Sequence, residues 1–151
     1  LLPRNPCASL KISALIGQTR PTRQRIMLSE DEIKVVMLNS KALGHENALM
    51  LKILLATCTR KGELIRAKWE DIDFDRGIWH IPTENAKNAK AFDIPLAPTV
   101  AGWLKELKAF AGRSSFVLPA RKNGYGKKAE TISRTTLNAA LDRIDLGTRV
   151  C

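Results

Sequence analysis

Between Ala56 and Pro82 the chain reads A-T-C-T-R-K-G-E-L-I-R-A-K-W-E-D-I-D-F-D-R-G-I-W-H-I-P. The residues leading into this stretch, Ala48, Leu49, Met50, Leu51, Ile53, Leu54 and Leu55, are apolar nearly all round a helical cylinder. They predict a helix over residues 46 to about 59, buried in the centre of a domain. Cys58 falls within it and reads as a small core residue. The helix delivers Arg60 at its end, and Glu63 follows three residues later. A desolvated guanidinium is costly unless an anion pairs with it. The chain must therefore build a charged corner against its own core. A short third helix over 62 to about 67 and a turn over 69–74 then lead into a strand.

The flanking segments supply the rest of the architecture. Ser29-Glu30-Asp31-Glu32 is a capping box with acids in the first helical turn. Ile33, Val36, Met37 and Ser40 recur at helical spacing, and Gly44 is the expected stop. Asp75-Arg76-Gly77 reads as a tight turn, with glycine where a positive φ is needed. It precedes a strand over 78–81, closed by Pro82. A polar hairpin loop over 83–90 and a returning strand over 91–96 complete a small antiparallel sheet of three strands. Pro98 opens a helix with Val100, Trp103, Leu104, Leu107 and Phe110 on one face, stopped by Gly112. Residues 116–119 are extended, 121–130 form a basic loop, and a last helix is expected over 132–144, with Leu137, Ala140, Leu141 and Ile144 apolar. Trp69, Trp79 and Trp103 read as core residues. The fold class is α+β and mostly helical: helices packed around a buried central helix, with a small three-stranded antiparallel sheet.

Charge narrows the partners. The net charge is +10, which favours a polyanion, and nucleic acid is the commonest one; a basic surface kept for solubility is the alternative. Residues 1–28 hold Arg4, Lys11, Arg20, Arg23 and Arg25 without an acid. They read as a basic linker, lying along a DNA backbone through Arg20, Arg23 and Arg25 or acting as a tether. Arg121, Lys122, Lys127, Lys128 and Arg134 form a second basic cluster, either a phosphate-tracking loop or solvated surface. Cys7, Cys58 and Cys151 make no C-x-x-C, so no metal site is expected, and reduced thiols fit a cytoplasmic location. The run from Ala48 to Ala56 is interrupted by Lys52 and is shorter than the ~20 residues that span a bilayer, so no membrane partner is expected.

Thr57, Arg60, Gly62-Glu63-Leu64, Trp69 and Asp71-Ile72-Asp73 together resemble the first catalytic box of the tyrosine recombinases, specifically the phage and prophage integrases. The likeness runs from Leu28-Ser29 through the final helix, with Cys58 standing where the commoner reading is glycine. The resemblance implies an enzyme whose tyrosine attacks a DNA phosphodiester, leaving a 3′-phosphotyrosine and a 5′-hydroxyl. It implies that Arg60 stabilises charge on the non-bridging oxygens and that Glu63 orients the active-site groups from behind. It also implies that Lys87, in the turn E-N-A-K-N-A-K-A-F-D-I-P-L, is the general acid for the leaving 5′-oxygen. Lys90 takes that role if the hairpin register shifts, and otherwise reads as a DNA contact. The more ordinary readings are a structural Arg60–Glu63 pair, a helix-start acid at Glu63 and a solvated loop lysine at Lys87.

The implied partners are double-stranded DNA and further copies of a full-length recombinase assembled on it, with no cofactor and no metal. The resemblance also requires a His-x-x-Arg pair and a later tyrosine. His45 and His80 are not followed by that pattern, and Tyr125 precedes the final helix. Residues 29–151 are thus expected to be the N-terminal part of such a catalytic domain, inactive by itself. A non-catalytic DNA-binding module or a degenerate remnant is the competing expectation. An unrelated RNA-binding protein is a third, disfavoured by the box over 57–73.

Overall fold

Ser29 opens the first helix by the capping box its sequence spells. The Glu32 backbone N–H donates to Ser29 Oγ at 3.2 Å, and the Ser29 N–H donates to Glu32 Oε2 at 2.7 Å. In the computed structural model, residues 28–121 and 130–144 are described. The first helix, α1, spans Glu30–Leu38 and does not run on to Gly44 as expected. It stops at Asn39, whose backbone N–H at 3.0 Å and side-chain amide at 2.9 Å both donate to the Val35 carbonyl. The short α2, Ser40–Leu43, then ends at Gly44, whose φ of 79° suits a residue without Cβ.

The central helix, α3, spans His45–Thr57. Ala48, Leu49, Met50 and Ile53 are buried, but Leu55 is 41% exposed and Ala56 is exposed, so the helix is covered on one side rather than all round. Cys58 is neither helical nor core. It is exposed and left-handed, with φ 53° and ψ 23°, and this reversal is what lets the chain turn out of α3. α4 spans Lys61–Ile65, with Arg60 in extended backbone at its N-cap.

A 3₁₀ turn, Trp69–Asp71, leads into a sheet of order β1-β2-β3: β1 Ile72–Asp73, β2 Ile78–Ile81 and β3 Phe92–Pro95. Both pairings are antiparallel, with Ile72 opposite Trp79 and Trp79 opposite Ile94. These three side chains and Ile81 are buried, while His80 and Asp93 face solvent and pair at 2.6 Å, as a period of two demands. The β1–β2 turn needs Gly77, which has φ 64°. A Cβ there would also sit 3.4 Å from the Leu96 carbonyl, which lies where the Leu96 N–H donates to Gly77 O at 2.7 Å.

α5, Pro98–Ala111, packs against α3 and buries Val100, Leu104 and Leu107 in the main core. Phe110 is not on that face. It is 52% exposed and stacks tilted against His45 at 5.3 Å. The core centres on Ile53, Leu64, Trp79, Ile81, Leu104 and Leu107. A smaller cluster of Val36, Leu43, Ala48, Ala140 and Ile144 joins it through the shared half-buried Leu51 and Leu141.

The extended segment after α5 stitches the fold together. Val117 N–H donates to Ala67 O at 2.9 Å, and Ile132 N–H donates to Leu118 O at 3.1 Å. That second bond holds Ile132 in extended backbone, so the last helix, α6, is only Thr136–Leu141 rather than 132–144. Ser133 and Thr135 reinforce the break, since Ser133 Oγ accepts from the Thr135 N–H at 3.3 Å.

Candidate active site

Arg60 sits at a corner that local sequence builds. Thr57 Oγ1 donates to the Ile53 carbonyl at 2.7 Å and meets Thr59 Oγ1 at 2.9 Å, closing the end of α3. Cys58 reverses the chain, and Arg60 then caps α4. Glu63, one turn into α4, reaches back with both oxygens. Its Oε2 accepts from the Arg60 backbone N–H at 2.9 Å, and its Oε1 accepts from Arg60 Nη1 at 3.1 Å. Glu63 is 3% exposed whereas the Arg60 side chain is 55% exposed. The expectation of a buried guanidinium is thus inverted: the carboxylate is the desolvated partner, and Arg60 satisfies it while presenting its outer edge to solvent.

The second cationic element is the β2–β3 hairpin. The Asn85 and Ala86 N–H groups both donate to the Pro82 carbonyl, at 3.0 and 3.1 Å, and the Ala89 N–H donates to Ala86 O at 3.2 Å. Lys87 is the second residue of that latter turn and is exposed. Ala89 has φ 50°, and Lys90, after it, is exposed too.

The hairpin is joined to the far end of the helix that Arg60 begins. Arg66 Nε donates to Asn85 Oδ1 at 3.0 Å, Arg66 Nη2 donates to the Asn85 carbonyl at 2.6 Å, and Asn85 Nδ2 donates to the Arg66 carbonyl at 3.4 Å. Sequence reasoning missed this pair. The two residues lie 19 apart, and an asparagine in a polar loop reads as a turn former.

Arg121 is held by two polar partners. Its Nη2 donates to Asn47 Oδ1 at 2.8 Å and its Nε lies 3.2 Å from Glu46 Oε2, tying the basic loop to the start of α3. Asn47 is buried and also donates to Leu43 O at 2.7 Å, so both its amide nitrogen and its amide oxygen have a partner. Arg20, Arg23, Arg25, Lys122, Lys127, Lys128 and Tyr125 lie outside the described residues. Lys61, beside Arg60, donates to Asn138 Oδ1 at 2.8 Å and so links α4 to α6.

Two clefts among the described residues lie away from the charged corner. A cleft of about 790 Å³ is lined by Glu70, Asp71, Asp73, Asp75, His80 and Asp93, and another of about 500 Å³ by Arg66, Lys68, Glu84 and Asn85 among others. Neither includes Arg60, Glu63, Lys87 or Lys90. In the second cleft the hydrogen bond and the charge of Glu70 hold the Lys68 ammonium above its ordinary pKa. Among the described residues no group of three or more His, Cys, Asp or Glu could hold a metal ion, and no helix is long and apolar enough to cross a membrane. Exposed cationic side chains on rigid backbone suit an extended anion that lies across a surface better than a small molecule enclosed by one.

Comparison with known proteins gives a consistent answer. The family model described as the phage integrase family matches residues 27–148. The prophage integrase IntA of Escherichia coli K12 is 33% identical over 93 residues, which make up 62% of this chain and 22% of that protein. The integrase of Enterobacteria phage P4 is 27% identical over 117 residues, covering 68% of this chain and 26% of its own length. The chain thus spans about a quarter of the curated relatives it matches. Among solved structures, XerA recombinase superposes with a TM-score of 0.63 at 15% identity, over 85% of this chain and 46% of that one. At that identity the likeness is one of fold.

Proposed function

The chain belongs to the phage integrase family, and from that premise we propose that it is the part of a site-specific DNA recombinase that binds duplex DNA and supplies two cationic catalytic groups. The reaction is phosphodiester exchange. A tyrosine oxygen attacks phosphorus, the bond to the 5′-oxygen breaks, and a 3′-phosphotyrosine forms. Negative charge builds on the non-bridging oxygens as the bond order shifts. Arg60 meets that charge, because its guanidinium is planar, permanently charged and able to donate two parallel hydrogen bonds. Glu63 fixes the guanidinium from its inner side, so the outer donors face the phosphate without reorganising. Lys87 gives its proton to the leaving 5′-oxygen, with Lys90 as the substitute.

The observation that carries this reading is the one-sided burial of the Arg60–Glu63 pair. The buried carboxylate holds the inner side of a guanidinium whose side chain stays 55% exposed, which leaves it open to an anion. The basic residues at 20, 23, 25, 122, 127 and 128 contact phosphates, Arg121 joins them only by giving up its hold on Glu46 and Asn47, and residues 1–28 act as a linker along the duplex. Several copies of a full-length enzyme assemble on the DNA. The tyrosine and the His-x-x-Arg pair that complete such a site have no match among residues 1–151, which favours a second reading for the chain by itself: a DNA-binding module without strand-cleaving activity. A nicked suicide duplex separates the two readings. The full-length protein traps a covalent adduct that Arg60→Ala abolishes. A full-length protein that binds DNA but never traps an adduct supports the module.

A further inference from the structure

Arg66 and Asn85 exchange three hydrogen bonds, one through side chains on both sides and two through main-chain carbonyls. This is more than a loop needs to close itself. The hairpin already closes through the Pro82 carbonyl and through the Ala86–Ala89 turn. The clamp does something else: it ties the hairpin to the C-terminal end of α4, whose N-terminal end is Arg60. Arg66 reaches through a rigid fork with its donors in fixed geometry, so the grip sets an orientation as well as a distance. Ala86 follows at once and packs against the main core. Lys87 is the next residue, so its backbone leaves from a point fixed on both sides of the peptide chain. Lys90 has no such anchor: it follows Ala89, in the left-handed region, three residues further on.

We propose that the Arg66–Asn85 clamp is a positioning device that holds Lys87 in a fixed relation to the Arg60 corner, so that both cations meet phosphates of one duplex. The inference rests on reading Lys87 as a DNA-facing group. Arg66 and Asn85 act through Lys87 and touch no DNA themselves. A flexible hairpin would offer Lys87 to the backbone only at the entropic cost of ordering it, whereas the clamped hairpin has met that cost in the folded protein.

The test is a cycle of salt titrations on the 151-residue chain with a defined duplex. Lys87→Ala removes one phosphate contact and softens the slope of log K against log salt by about 0.9. Asn85→Ala softens it by the same amount, and the double variant Asn85→Ala with Lys87→Ala by no more than either alone. Arg66→Lys keeps the net charge but loses the fork, and it reproduces Asn85→Ala even if that variant is poorly folded. Hydrogen exchange of the amides over 83–90 rises in both clamp variants and stays unchanged in Lys87→Ala. An Asn85→Ala loss that adds in full to the Lys87→Ala loss, or a wild-type slope in both Asn85→Ala and Arg66→Lys, overturns the proposal while leaving Lys87 a DNA contact. A wild-type slope in Lys87→Ala, with hairpin exchange still rising in Asn85→Ala, overturns the reading of Lys87 beneath it.

Discussion

Glu63 accepts two hydrogen bonds from Arg60, yet only the acid is buried: its exposure is 3% against 55% for the arginine side chain. Stability and chemistry are divided between the partners by that difference. The carboxylate secures the corner, since it caps the first turn of α4 and would be an unpaired buried charge without its donors. The guanidinium bonds Glu63 through Nη1 on a side chain that is half exposed, and so can also meet a ligand.

Glu63→Ala therefore destabilises the fold more than Arg60→Ala does. Losing the carboxylate leaves the Arg60 backbone N–H without its acceptor and opens a small void, at a cost of about 1–3 kcal/mol. Losing the guanidinium also takes one donor from the buried carboxylate, but it costs less, about 1 kcal/mol, because Glu63 keeps the Arg60 backbone N–H as a donor and water enters the gap left by the half-exposed side chain. Urea denaturation of both variants gives the order. A larger loss for Arg60→Ala would place the structural load on the arginine.

Cys58 holds a backbone conformation that side chains disfavour, with φ 53°. Cys58→Gly relieves it and raises stability by about 1 kcal/mol, less whatever glycine loses in the unfolded chain. The melting temperature of the variant measures the gain. A clear fall would mean that the thiol, 3.7 Å from the Leu55 carbonyl, contributes more than the strain removes.

Those two corners show what local sequence carries and what it leaves out. The Ser29–Glu32 cap, the glycine turn at Gly77 and the proline start of α5 are short-range devices, and each is found where its spelling places it. The identity of the charged corner was legible for the same reason, since Arg60 and Glu63 are three residues apart. What was not legible depends on partners distant in sequence. The first helix stops at Asn39, whose side chain also bonds the Val35 carbonyl, a bond that any asparagine could decline to make. Ile132 belongs by periodicity to the last helix, but Leu118 claims its N–H first. Nothing in the local pattern around Asn85 points to Arg66, nor around Arg121 to Asn47.

The proposed function predicts that DNA binding by the 151-residue chain is weak, sequence-independent and steep in salt. Its net charge of +10 supplies phosphate contacts, each worth about 0.9 in the slope of log K against log salt. Fluorescence anisotropy across a salt series reads the slope. Salt-insensitive, nanomolar binding to a single sequence would contradict a backbone-tracking mode.

The same chain forms no covalent adduct with a nicked suicide duplex. Tyr125 precedes the last helix and does not match the nucleophile position of the family resemblance. Denaturing gel electrophoresis detects an adduct directly. A band that disappears in Tyr125→Phe would move the active site to the loop that carries it.

The most direct measurement compares three variants of the full-length recombinase, Arg60→Ala, Lys87→Ala and Lys90→Ala, on two substrates, an ordinary duplex and one whose bridging 5′-oxygen at the cleaved bond is sulfur. Arg60→Ala binds DNA nearly as well as the wild type but loses ~10²-fold or more in cleavage rate, because the guanidinium acts on charge that develops in the transition state. Lys87→Ala is also slow on the ordinary duplex. On the sulfur substrate Lys87→Ala recovers, since a thiolate leaves without a proton, and Arg60→Ala does not, since its partner oxygens are unchanged. Recovery of Lys90→Ala in place of Lys87→Ala would shift the acid by three residues along the hairpin. Recovery of neither lysine variant, or a full-speed Arg60→Ala on either substrate, would contradict a catalytic site built from this corner and this hairpin.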